Sequence, residues 1–124
     1  MTATIAPEAM ARYRRTALAR EGAHRLETEV RRQAAWTVAL RAARLLRQDF
    51  GAKRVVVFGS LAHDAWFGLH SDIDLAVEGI PPEIFWRAWG ALDRLDAAVD
   101  IDLVAIESAP ERLRDEIAEQ GVSL

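Results

Sequence analysis

Between Glu8 and Phe50 apolar residues return at helical spacing, with Leu26, Val30, Ala34, Val38, Ala42, Leu45 and Leu46 forming one series. Arg25, Arg32, Arg41 and Arg44 fall largely between them, and no proline interrupts the run. Positions three and four apart share a helix face, so the segment predicts one amphipathic helix, with Gly22 as its point of interruption. Pro7 suits the first turn, where no backbone N–H is needed, and Gly51 suits the C-terminal stop.

The period then changes. Lys53-Arg54-Val55-Val56-Val57-Phe58 is short, β-branched and almost continuously apolar, the pattern of a strand covered on both faces. It ends at Gly59-Ser60, and residues 61–71 predict a short connection with a helical turn. Asp72 to Glu78 alternates with period two and stops at Gly79-Ile80-Pro81-Pro82. Residues 83–97 predict a helix with Phe85, Trp86, Trp89 and Leu92 supplying its bulk, Trp86 and Trp89 as core. Val99 to Val104 predicts a third strand, and Ser108 to Glu111 opens a last helix over 112–120. Gly121 would cap it, leaving Val122-Ser123-Leu124 as a tail. The fold class is therefore α/β (α+β): a small mixed sheet with packed helices, preceded by a long N-terminal helix. Residues 1–50 form the amphipathic helical segment packed on the domain, and residues 51–124 form the core.

Composition narrows the chemistry. A chain of 124 residues suffices for one compact domain. The absence of cysteine excludes a disulfide framework, a thiolate zinc site and a cysteine nucleophile together. No apolar run approaches the ~20 residues that cross a bilayer. The first residues lack the basic-then-apolar layout of a secretory leader, so the cytoplasm is the expected address. Charge is lopsided. Residues 1–50 carry ten Arg against four Glu and one Asp, whereas residues 51–124 carry six basic and fourteen acidic side chains. The basic half is either a solvated helix face or a surface for an acidic partner, RNA or nucleotide phosphates. An acidic second half argues against simple wrapping of nucleic acid.

Candidate chemistry lies on the strands. Alternation places Asp72 and Asp74 on one face while Ile73, Leu75 and Val77 take the other. Two carboxylates on one face repel each other and lose hydration, and Mg²⁺ is the hard cation that oxygen ligands usually recruit. A lone Asp-x-Asp is more often a wet face of an edge strand. A second pair, Asp100 and Asp102, on a second apolar strand changes the balance. Neighbouring strands would gather three or four carboxylates, enough to hold two divalent ions for in-line phosphoryl or nucleotidyl transfer. At Gly59-Ser60 a glycine permits close backbone approach, while the following amides and the Ser60 hydroxyl can meet phosphate oxygens.

Phe58-Gly59-Ser60, eleven residues, then Asp72-Ile73-Asp74-Leu75 resembles the signature of the DNA polymerase β-like nucleotidyltransferase superfamily, with a connection one residue longer than its usual pattern. It is most similar to the minimal nucleotidyltransferases, the antitoxin half of HEPN–MNT toxin–antitoxin pairs. Ile101-Asp102-Leu103-Val104 resembles the family's third-carboxylate strand, and the resemblance spans about residues 42–124. It implies that Gly59 and Ser60 bind the NTP triphosphate and that Asp72, Asp74 and Asp102 are catalytic and ligate two Mg²⁺ ions. Asp102 would also help activate the acceptor hydroxyl and ranks ahead of Asp100, which shares its face and is left open as an outer contributor. The implied reaction is transfer of NMP, AMP from ATP foremost, to a hydroxyl of a partner, a helical HEPN-type RNase toxin. The alternatives are a small-molecule or RNA 3′-end acceptor, and a non-catalytic antitoxin that acts by binding. A homo-oligomer is compatible with the sequence, and a membrane partner is not expected.

Weaker candidates flank the site. His63 and His70 border the connection and are more often solvated than ligands; they make no zinc site without further donors. Trp66 and Phe67 can stack on a base, but packing is the commoner role. Tyr13, the single tyrosine, offers a hydroxyl for self-modification.

Overall fold

The computed structural model describes residues 6–63, 67–68, 71–95 and 98–124. A helix α1 runs unbroken over Pro7–Phe50, followed by β1 (Arg54–Phe58), β2 (Ile73–Glu78), α2 (Pro82–Asp93), β3 (Ile101–Ala105), α3 (Glu111–Gln120) and β4 (Val122–Ser123). Pro7 occupies the first turn of α1. Gly51 ends it at φ 73° and ψ 23°, the left-handed conformation that glycine adopts without cost, and its N–H bonds the Leu46 carbonyl. Gly22 causes no break.

The sheet order is β3-β2-β1-β4. β1 is antiparallel to both β2 and β4, while β2 and β3 are parallel. Parallel neighbours cannot be joined by a tight turn, and α2 supplies the crossover between them. β1 is central, which is why Val55, Val56, Val57 and Phe58 are all buried and its sequence is almost continuously apolar.

Two cores cover the two faces. On one, Val55, Val57, Ile73, Leu75, Val77, Ile101 and Leu103 pack with Ala35, Val38, Ala39, Ala42, Ala43 and Leu46 of α1 and with Ala88 and Leu92 of α2. On the other, Val56, Phe58 and Ala76 meet Ile117 of α3, with Leu113, Val104 and Ile106 alongside.

Four expectations change. The buried stripe of α1 starts at Ala35; Leu26 and Val30 are exposed, because the sheet is too short to cover a 44-residue helix. Trp86 is 74% exposed rather than core, and stacks on the half-buried Trp89 at 5.4 Å. Helix α2 stops at Asp93, Arg94 and Leu95 closing it through short backbone bonds to Ala91 and Leu92. The tail is a strand, since Val122 and Ser123 fill the free edge of β1. Gly121 caps α3 as expected, its N–H bonding the Ile117 carbonyl at 3.0 Å. It is extended, and a Cβ there would run into the Ile117 carbonyl and Val56.

Candidate nucleotide and metal site

Register brings the acidic residues together. β1 is antiparallel to β2, so its C-terminal Phe58 pairs with Asp74 near the start of β2. β3 is parallel to β2, and Asp74 pairs with Asp102. Neighbouring strands lie about 4.8 Å apart, so these two carboxylates are adjacent on one face. Asp72 precedes β2 by one residue and, by alternation, belongs to the same side. The Gly59-Ser60 turn, both strand entrances and all three aspartates thus meet at one end of the sheet.

Gly59 has φ 72°, and a Cβ at this position would run into the Asp74 carboxylate. Two independent reasons therefore demand glycine: the left-handed backbone and the space that Asp74 occupies. Gly59 opens a single 3-10 turn, Gly59–Leu61, whose Leu61 is fully buried and anchors it. Ser60 is half-buried between them. The Gly59 carbonyl accepts the N–H of Ala62 and, at 3.3 Å, that of His63.

Asp74 is the electrostatic centre. Burial pushes its carboxyl from 3.8 up to about 6, and the negative charges of Asp102, Asp72 and Glu116 push the same way. Each contribution disfavours the charged form, so a cation at this mouth would relieve all of them at once. Asp72 and Asp102 are exposed. The donors are carboxylate oxygens, the chemistry that suits Mg²⁺. Among the described residues no three His, Asp or Glu side chains are already gathered into a metal cage.

The remaining candidates separate. Asp100 lies just before β3, its backbone carbonyl accepting the Ile73 N–H at 2.9 Å; its side chain is not among the groups acting on Asp74. Phe67 is buried in the larger core and cannot stack on a base. His70 and Trp66 lie outside the described residues. Tyr13 is exposed on α1, a helix whose sheet-packed stripe begins only at Ala35. Glu116 was not anticipated. Its sequence carries no motif, and only the packing of Ile117 and Leu113 places α3 on the aspartate side.

Residues 42–124, two thirds of the chain, match the family model for polymerase β nucleotidyltransferases. No protein of curated function matches the sequence. Among solved structures, one assigned as a minimal nucleotidyltransferase is 30% identical, with a TM-score of 0.50 over 77% of this chain and 91% of that one. A substituted MntA–HpeT toxin–antitoxin pair is 29% identical, with a TM-score of 0.55 over 68% of each chain. A toxin–antitoxin structure with AMP-PNP is 25% identical, with a TM-score of 0.55 over 67% of this chain and 69% of that one.

Proposed function

The chain belongs to the polymerase β nucleotidyltransferase family, and on that premise we propose that it transfers AMP from ATP to a hydroxyl of a partner protein, a HEPN-type ribonuclease toxin, as its antitoxin. The observation that carries this reading is the pairing of Asp74 with Asp102 across parallel strands, while Phe58, the residue before Gly59, pairs with Asp74 on the other side. A triphosphate seated on the Gly59-Ser60 turn would lie against those carboxylates. Relatives of this chain are toxin–antitoxin assemblies, one of them with AMP-PNP, which favours a protein acceptor and an adenine nucleotide.

In the reaction, the acceptor oxygen attacks the α-phosphorus of ATP. The bond from that phosphorus to the α,β-bridging oxygen breaks, pyrophosphate leaves, and the hydroxyl proton passes to a carboxylate. Mg²⁺, held by Asp72, Asp74 and Asp102, would supply neutralisation of phosphate charge and activation of the hydroxyl. The backbone of Gly59 and the hydroxyl of Ser60 orient the phosphates. Asp102, beside Asp74 on the neighbouring strand β3, is the carboxylate we assign to the acceptor proton. Asp74, deeper and flanked by Asp102 and Gly59, fixes where cation and phosphate meet.

The test is intact-mass spectrometry of the protein encoded beside this chain, co-expressed with wild type or with the Asp72→Ala/Asp74→Ala variant. Adenylyl increments seen only with wild type are expected. Co-purification without an increment would replace transfer by occlusion, and label from ATP appearing in RNA would move the acceptor to an RNA end. No helix of the described residues is long and apolar enough to cross a membrane.

A further inference from the structure

Residues 1–41 lie outside the family match, yet residues 7–41 form most of α1. The sheet uses Ala35, Val38, Ala39, Ala42, Ala43 and Leu46. A second apolar series, Leu18, Leu26, Val30 and Leu40, is left in solvent, each residue 57–69% exposed. At 3.6 residues per turn these four fall within about a third of the circumference, centred away from the packed stripe, with Leu40 bordering Leu124 at the edge of the sheet. Four such side chains on one side of one helix are an unpartnered stripe rather than scattered surface leucines.

Charge says what covers it. On the same spacing Arg12 and Arg15 fall in the stripe's sector at its N-terminal end, and Arg44 falls in it and Arg41 at its border at the C-terminal end, against Glu8 and Glu29. Among the described residues none of these four guanidinium groups is paired with a carboxylate. The sector is therefore apolar in the middle and basic at both ends. A second copy of α1 does not fit it. Parallel pairing would set Arg12 and Arg15 against themselves, and antiparallel pairing would set them against Arg41 and Arg44; both are repulsive. A compact acidic domain offers charge but no straight apolar ridge along the roughly 48 Å from residue 12 to residue 44. RNA offers phosphates to the ends, but Leu and Val give its bases no stacking platform.

We propose that the outward face of α1 docks an amphipathic helix of a partner protein, apolar along its centre and acidic at both ends. The docking is separate from the transfer reaction and needs neither nucleotide nor the aspartates.

The experiment uses a fluorescein-labelled designed helix of about 32 residues, the length that spans the stripe. It carries Leu at a and d positions in its centre and Glu clusters at both ends, and is titrated against the full chain at low salt without nucleotide. Two comparison probes are the same peptide with Lys replacing Glu, and single-stranded RNA. Saturable binding of the acidic peptide is expected, at least tenfold weaker for Leu26→Glu/Val30→Glu and for Arg12→Glu/Arg41→Glu, and unchanged in Asp72→Ala/Asp74→Ala. Circular dichroism of each variant shows whether the fold is retained. Absence of acidic-peptide binding overturns the proposal. So does equal binding of the Lys peptide, tighter binding of RNA, indifference to Leu26→Glu/Val30→Glu, or a wild-type dimer in light scattering that Leu26→Glu dissociates.

Discussion

Strand β2 presents Ile73, Leu75 and Val77 to the layer made by α1 and α2, and all three are buried. To its other side the same strand turns Asp74 and Ala76, with Asp102 beside Asp74 and Glu116 of α3 above. The first side is dry and closed, and its residues contribute through area removed from water. The second closes around Val56, Phe58, Ala76 and Ile117 but stays open at the end where the strands enter. There a carboxyl is kept in surroundings that oppose its charge. One strand thus stabilises the fold with its odd-numbered residues and strains it with an even-numbered one. Such a division is possible because alternation decouples the two sides.

The sharpest way to break that contrast is the Asp72→Ala/Asp74→Ala variant. Transfer should fall to background, while the thermal midpoint stays the same or rises, because removing mutually repelling carboxylates relieves the open side. A loss of stability comparable to a core truncation would mean that these aspartates hold the fold. Truncation on the closed side is the complement. Leu75→Ala should cost about 2–5 kcal/mol in urea denaturation, since it deletes a fully buried side chain between β2 and the helices. A cost under about 1 kcal/mol would show that this side is loosely packed.

Gly59→Ala tests the one place where backbone and site meet. The substitution forces a left-handed backbone on alanine and drives its methyl into the Asp74 carboxylate. It should destabilise by more than about 1 kcal/mol and lower transfer even at temperatures where the protein is folded. An unperturbed variant would mean that the turn is pliable and that Asp74 is not held against it.

The open side was more legible in the sequence than parts of the closed one. Paired aspartates on alternating strands have a period and a chemical cost, and both can be read before any contact is known. The closed side of α1 is built largely from Ala35, Ala39, Ala42 and Ala43, small residues that weigh little in a hydropathy pattern. Bulkier Leu26 and Val30 dominate that pattern although no described residue covers them. Periodicity reports that a face is apolar, not what meets it. Trp86 shows the same limit: its spacing from Trp89 suggested core, but only Trp89 reaches inward, donating its indole N–H to the Ile101 carbonyl at 3.0 Å. Strand β4 was unreadable because two residues, Val122 and Ser123, carry no period; the free edge of β1 makes them a strand. Glu116 was hidden because the face on which α3 packs is a tertiary fact.

The smallest expected effect is also the most specific to the open side. In the folded chain Asp74 keeps its proton up to about pH 6, against 3.8 for the unperturbed group. Between those values the folded state binds more protons than the unfolded one, so the contribution of Asp74 to stability falls as pH rises through the window. It is fully favourable below the lower value, and its loss is complete above the upper one. Solvent reaches the half-buried carboxyl, which keeps the effect modest. Other carboxylates add slopes of their own, so the quantity to measure is the difference in urea midpoint between wild type and Asp74→Asn, both in EDTA, from pH 4 to 7.5. Wild type should lose ground relative to Asp74→Asn across that range, the difference levelling off above the upper value. Millimolar Mg²⁺ at the alkaline end should then restore wild type and leave Asp74→Asn unchanged, because only an ionised carboxylate gains from the ion. A difference flat with pH would remove Asp74 as the strained group. A Mg²⁺ response equal in both proteins would place the cation elsewhere.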